Sequence, residues 1–208
     1  MESAITLVKN TKEILPLSSN KKYLHVSFGD KNSSKYLTNK MKMYVNVESF
    51  EGEDYSLIND SEAYDAIIIS YHGSSSSPYA SNIIPSDVVE KINNIAKSNN
   101  VILNLFLNPY SLNSFKSIDN LESIIISYQN NLISQEIAAD LMFGVRSFKG
   151  KIPVSNNFFK VNHGISIDKK QILGFSRPAY EGFDSKALSF LDSIAIRSID
   201  SMIAPAIQ

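Results

Sequence analysis

The sequence has no cysteine, only 3 histidines, no long apolar run and almost no excess of either charge. Without cysteine there can be no disulfide, thiolate nucleophile or cysteine-based zinc site, and the redox compartment is left open because no thiol needs managing. The histidines, His25, His72 and His163, lie far apart with no second ligand at metal-binding spacing, so no metal is expected. Lys and Arg number 20 against 21 Asp and Glu, a formal net charge of -1, which gives no electrostatic case for a nucleic-acid or anionic-membrane partner. The longest apolar runs, Ala66–Ser70 and Val101–Leu107, have strand length and fall short of the roughly 20 residues that cross a bilayer, so no membrane span is expected. Met1-Glu2-Ser3-Ala4 lacks the basic-then-apolar layout of a secretory signal. Neither a Gly-x-Gly-x-x-Gly turn after the first strand nor a glycine-rich phosphate loop ending in Lys-Ser/Thr is present, which removes the main support for a nucleotide, and no cofactor is expected.

What is present suits a folded chain. The 208 residues are 43% hydrophobic and 20% charged, enough for one large domain or two small ones and incompatible with a disordered or collagen-like chain. Short β-rich runs alternate with amphipathic stretches of helix length, the signature of parallel strands joined by crossover helices. Strands are predicted at Lys22–Gly29, Tyr44–Val47, Asp65–Tyr71, Val101–Leu107 and Ser123–Tyr128, with helices near Ser33–Met43, from Pro85 to Ala96, and at Ser134–Phe143. Tyr55–Ala63 would carry the chain back across the sheet, and Phe158–Val161 would form an edge strand. The fold class expected is therefore α/β: a three-layer α/β/α sandwich, flavodoxin- or Rossmann-like, around a mostly parallel sheet of about five or six strands. Residues 174–183, with Gly174, Pro178 and Gly182, read as a linker after a domain of residues 1–173. Beyond them, Leu188, Leu191, Ala195, Ile199 and Met202 space as an amphipathic helix within 184–208.

In an open parallel sheet, ligands bind beyond the carboxyl ends of the strands, where strand order reverses. Those ends are predicted at Phe28-Gly29-Asp30, at His72-Gly73-Ser74 and the loop running on to Tyr79, and at Asn108-Pro109-Tyr110. His72 has two readings: an acid, base or hydrogen-bond donor to substrate or a neighbouring domain, or a histidine that merely caps its strand beside a solvated serine loop. His25, within the first predicted strand, reads as a core or helix-facing histidine. Ordinary glycoside hydrolysis needs two carboxylates, and no convincing pair stands at the predicted strand ends. An independent serine hydrolase using Ser74–Ser77 with His72 lacks an orienting acid and a nucleophile turn.

Several motifs in order resemble a known family. Glu2-Ser3-Ala4-Ile5-Thr6-Leu7-Val8-Lys9-Asn10 with Ile14-Leu15-Pro16-Leu17 is similar to the entry into the second, α/β-sandwich domain of family 3 glycoside hydrolases. Phe106-Leu107-Asn108-Pro109-Tyr110 resembles that domain's strand end, with Leu107 in place of glycine. Gln135 to Ala139, Phe143-Gly144 and Gly150-Lys151-Ile152-Pro153-Val154-Ser155 resemble its closing signature. The resemblance runs from about residue 2 to 165 and implies a preceding barrel domain of the same polypeptide that carries the nucleophilic aspartate. β-Glucosidase members supply a glutamate acid/base from the loop after the third strand; His72-Gly73-Ser74-Ser75-Ser76-Ser77-Pro78 stands there instead. That substitution resembles the β-N-acetylhexosaminidase branch, whose acid/base is a histidine–aspartate pair on the barrel. The chain would then have no catalytic residue of its own, reach carbohydrate only through the barrel, and place His72, Gly73, Ser74, Tyr79, Asn108, Pro109 and Tyr110 at the substrate rim or domain interface. Tyr180-Glu181-Gly182-Phe183-Asp184 and the following helix resemble the start of a penicillin-binding-protein-like serine hydrolase domain, which makes the chain a middle piece of a longer, exported bacterial protein. The alternative left open is a free-standing flavodoxin-like module that binds a small ligand at the strand-order switch.

Overall fold

The computed structural model describes residues 4–30, 34–52, 63–74, 83–170 and 172–203. The chain divides into two compact units, residues 1–172 and 173–208. Six strands form the sheet of the first unit: β1 (Thr6–Asn10), β2 (Tyr23–Gly29), β3 (Val47–Glu51), β4 (Ala66–His72), β5 (Val101–Phe106) and β6 (Leu121–Ile126), in the spatial order β1-β6-β5-β4-β2-β3. All neighbours are parallel except β1 on β6. Leaving out β1, the parallel strands follow the flavodoxin order, and strand order reverses between β2 and β4.

The two-sided apolar composition of β4 and β5 is explained by what covers them. Ile67, Ile69, Leu103 and Leu105 pack with Val89, Ile92 and Ile95 of α2 (Ser86–Ala96) on one face. Ile68, Ile102 and Phe106 pack on the other with Leu37 and Met41 of α1 (Lys35–Met41) and with Ala138, Leu141 and Met142 of α3 (Leu132–Met142). This is the three-layer sandwich that the strand–helix alternation predicts. Asn131 caps α3 by accepting the Ser134 N–H at 2.9 Å.

Three elements differ from the sequence expectation. The second predicted strand lies too early: Tyr44 and Val45 close α1 by donating to the Met41 carbonyl, and the strand runs from Val47 to Glu51 with a mostly exposed pattern, because it is a sheet edge. A sixth strand, β1, occupies the stretch taken for the lead-in to the sheet. No strand forms at Phe158–Val161; residues 144–170 instead strap across β1, with the Ile165 N–H donating to the Leu7 carbonyl at 2.7 Å and a single bridge between Phe148 and Ile167. The strap runs so close that a Cβ on Gly150 would lie 2.3 Å from the Ile5 carbonyl oxygen, which only glycine permits. The expected crossover at Tyr55–Ala63 lies almost wholly outside the described residues.

α1 and α3 are joined by a buried ionic cluster. The Asp140 carboxylate accepts from Lys40 Nζ at 3.2 Å, Tyr44 OH at 2.6 Å and Arg146 Nε at 3.0 Å. In the second unit, a single 3-10 turn (Pro178–Glu181) ends at Gly182, and α4 (Ser185–Asp200) is capped by Asp184, whose Oδ1 accepts the Lys186 N–H at 2.8 Å. Among the described residues no helix is long and apolar enough to cross a membrane.

Candidate functional site

The carboxyl edge of the sheet brings together the ends of β2, β4, β5 and β6. At the switch point β2 and β4 lie unusually close: a Cβ on Gly29, whose φ is +93°, would stand 2.1 Å from the His72 carbonyl oxygen, and the Asp30 N–H donates to that same oxygen at 2.9 Å. Glycine is the one residue that tolerates both the dihedral and the contact.

Beneath this edge, on the α1/α3 face, runs a row of buried polar groups. His25 Nδ1 lies 2.9 Å from Thr38 Oγ1 and its Nε2 lies 2.7 Å from Ser70 Oγ; Ser70 Oγ is 2.8 Å from His72 Nε2, and His72 Nδ1 is 2.9 Å from Asn130 Oδ1. The direction of every hydrogen follows from two fixed ends. The Gly73 carbonyl can only accept, so Asn130 presents its Nδ2 there at 2.8 Å and its Oδ1 to His72. Gln135 agrees: its Oε1 takes the Leu37 N–H at 3.0 Å, leaving Nε2 to donate to Asn130 Oδ1 at 2.9 Å. His72 therefore carries its proton on Nδ1, its Nε2 accepts from the Ser70 hydroxyl, Ser70 accepts from His25 Nε2, and His25 Nδ1 accepts from Thr38. Both imidazoles are neutral in this pattern. Burial pushes His25 down to about 3, with the nearby His72 and Lys42 adding to the effect; burial likewise lowers His72 to about 4, against the opposing pull of Asn130 and Asp30.

The residues singled out from the sequence divide accordingly. His72 is 1% exposed, stacks on the Phe106 ring at 4.7 Å and uses both ring nitrogens internally. Gly73 is buried against Leu107, and Ser74 is exposed. Asn108 caps the 3-10 segment Pro109–Ser114 through the Tyr110 N–H at 3.0 Å; Pro109 is buried, while Tyr110 is 50% exposed. Tyr79 and Ser75–Ser77 lie outside the described residues. His25 is a helix-facing core histidine, and His163 Nε2 donates to the Val8 carbonyl at 2.8 Å. Asn130→Ala removes one donor and one shared acceptor from the row and is expected to cost about 1–3 kcal/mol of stability, read as a lower urea midpoint; an unchanged midpoint would show the row to be energetically idle.

One feature of the edge went unseen in the sequence. A pocket of about 240 Å³ at the switch point is lined by Phe28, Asp30, Glu51, Tyr71, Asp87 and Lys91, among others. Its carboxylates come from three elements: Asp30 follows β2, Glu51 ends β3 and Asp87 lies in the first turn of α2. Burial and the negative charge of Asp87 raise the Tyr71 hydroxyl above its ordinary value. Glu51 was missed because β3 was placed too early to end there. Among the described residues no group of three or more side chains could hold a metal ion.

No protein-family model matches the chain, and no curated protein sequence matches it. Its fold is found in solved structures of larger enzymes. A beta-glucoside phosphorylase, BglX, with bound 2FGlc aligns with a TM-score of 0.58 and 22% identity over 74% of this chain and 30% of its own. A multi-domain fungal GH3 beta-N-acetylglucosaminidase aligns at 0.56 and 18% identity over 96% of this chain and 22% of its own. A glycoside hydrolase family 3 beta-N-acetylglucosaminidase from Paenibacillus sp. str. FPU-7 gives 0.55 and 19% identity over 73% of this chain and 30% of its own. At these identities the likeness is one of fold, and the chain spans less than a third of each of these three enzymes.

Proposed function

We propose that the chain is the α/β-sandwich accessory domain of a family 3 β-N-acetylhexosaminidase, docked through the carboxyl edge of its sheet on a barrel domain that holds the reactive carboxylate. The observation that carries the reading is that this fold recurs as a minor part of glycosidase chains, covering 30% of one β-N-acetylglucosaminidase and 22% of another. The edge suits a partner. Ile83 before α2, Tyr110 after β5 and Ile133 at the start of α3 are 73%, 50% and 42% exposed, large apolar side chains set along one rim. Ser74, Asn108 and Tyr110 would stand at the border of the sugar site, with His72, Gly73 and Pro109 supporting them from beneath. In the same reading, 173–208 begins a penicillin-binding-protein-like domain, and the parent protein is exported.

The isolated chain is expected to release no chromophore from chromogenic β-N-acetylglucosaminides, and robust turnover would overturn the proposal. In the intact enzyme Tyr110→Ala is expected to lower kcat/KM about tenfold, the loss of roughly 1.4 kcal/mol of substrate or domain contact; an unchanged kcat/KM removes Tyr110 from the rim. A second reading is favoured by the switch-point pocket: a free-standing module that takes a small ligand between Asp30, Glu51 and Lys91. Calorimetric titration with sugars, nucleotides and flavin, repeated on Glu51→Gln, separates it from the first.

A further inference from the structure

The hydrogen-bonded row under the carboxyl edge has a property that its neutral form conceals: every hydrogen in it has an acceptor, and one added proton destroys that balance. In the neutral row Thr38, His25, Ser70 and His72 each pass one hydrogen toward Asn130. A proton placed on His72 Nε2 turns an acceptor into a second donor aimed at Ser70 Oγ. That oxygen already accepts from His25 Nε2, so both its lone pairs are taken and its own hydrogen loses its acceptor. His25 is better provided: a proton on its Nδ1 turns the Thr38 hydroxyl toward the Ser34 carbonyl, which waits at 3.2 Å. His72 is therefore the point at which the row fails.

We propose that His72 and its row form an acid-sensitive latch, which holds the exits of β4 and β6 and the first turns of α1 and α3 against the sheet when His72 is neutral and lets them go when it takes up a proton. The anatomy fits a local release. Asn130 joins His72 to the Gly73 carbonyl at the β4 exit, and Gln135 joins Asn130 to the Leu37 N–H of α1, so one failed bond frees contacts on three segments. Little nearby would neutralise a charged His72. β2 brings His25 and Asp30, α1 brings Lys42 toward His25, β5 brings the uncharged Phe106 ring, and the β6–α3 loop and α3 bring the neutral amides of Asn130 and Gln135. The hydrogen bond to Asn130 and the charge of Asp30 favour the charged form, and together they do not outweigh burial. The segments released are those of the candidate ligand edge, so acid would loosen that edge whichever ligand it serves.

Residue-resolved amide exchange on the whole chain tests the latch, with rates corrected for their intrinsic pH dependence. Between pH 7 and pH 5 the Gly73, Gln135 and Leu37 amides are expected to lose protection about thirtyfold, the factor for one histidine held neutral 1.5 pH units below its ordinary value. At pH 5 the amides of Val101–Phe106 should still exchange at least about tenfold more slowly than these three. His72→Gln can donate to Asn130 and accept from Ser70 without titrating, and the thirtyfold loss should vanish in it. Unchanged protection of the three amides in the wild-type chain, exchange of β5 and the exits at one common rate at pH 5, or the same loss in His72→Gln would each overturn the latch; the first two need no variant to fold.

Discussion

Asp140→Ala is expected to lower the stability of the first unit by about 3–5 kcal/mol, a drop large enough to bring it close to unfolding at room temperature. The carboxylate, itself on α3, is the common partner of three groups, one on α1, one just beyond α1 and one just beyond α3, and both its side chain and that of Lys40 are 7% exposed. Removing it takes the anion at 3.2 Å away from a Lys40 ammonium that stays buried beside the Tyr44 ring, 5.6 Å from its centroid. The cost is that of a buried charge deprived of this carboxylate more than of a lost bond. A double variant separates the two. If the buried charge dominates, Lys40→Met in the Asp140→Ala background should restore much of the loss, since an apolar side chain of similar volume fills the space between α1 and α3 without needing a counterion. Urea denaturation of the four chains closes the cycle; additive effects would mean that Lys40 and Asp140 do not act as a pair.

The architecture was legible wherever the pattern of burial is written in composition. β4 and β5 are apolar on both faces because helices cover both faces, and α2 shows its stripe because one side meets the sheet and the other meets water. β3 and β1 were illegible for the opposite reason. At the edge, Val47–Glu51 needs few buried side chains, and its sequence looks like a loop. β1 is only 5 residues long and is held by β6 and by the strap from residues 144–170, a partnership that no local pattern announces. The polar row left a fainter trace. Ser70 and His72 are polar residues inside or ending an otherwise apolar run, which marks them as buried polar groups in need of partners. Thr38, Asn130 and Gln135, the partners themselves, look like ordinary helix and loop residues until the chain is folded. The pocket was hidden by the misplaced edge strand, since Glu51 reaches the carboxyl edge only when β3 ends at that residue.

Lowering the pH from 7 to 5 is expected to reduce the stability of the first unit by about 4 kcal/mol through His25 and His72 alone. The sign follows from where the protons go. Both groups have folded-state values depressed below the ordinary 6.5, to about 3 and about 4, so the unfolded chain binds protons more readily than the folded one across the interval between. Their contribution is intact above pH 6.5 and is lost progressively as pH falls toward 4 for His72 and toward 3 for His25. At pH 5 each histidine is held neutral 1.5 pH units below its ordinary value, about 2 kcal/mol apiece. The loss levels off only below pH 3, where the folded chain takes up the protons too. Urea titrations at pH 7, 6 and 5 check the slope, which should steepen between the last two as the unfolded-state imidazoles become fully charged. His25→Asn, with one amide to meet Thr38 and Ser70, should carry about half of the dependence and no more. Equal midpoints at pH 7 and pH 5 would mean that both imidazoles accept a proton inside the folded chain, which for His72 the directed bonds meeting at Ser70 oppose.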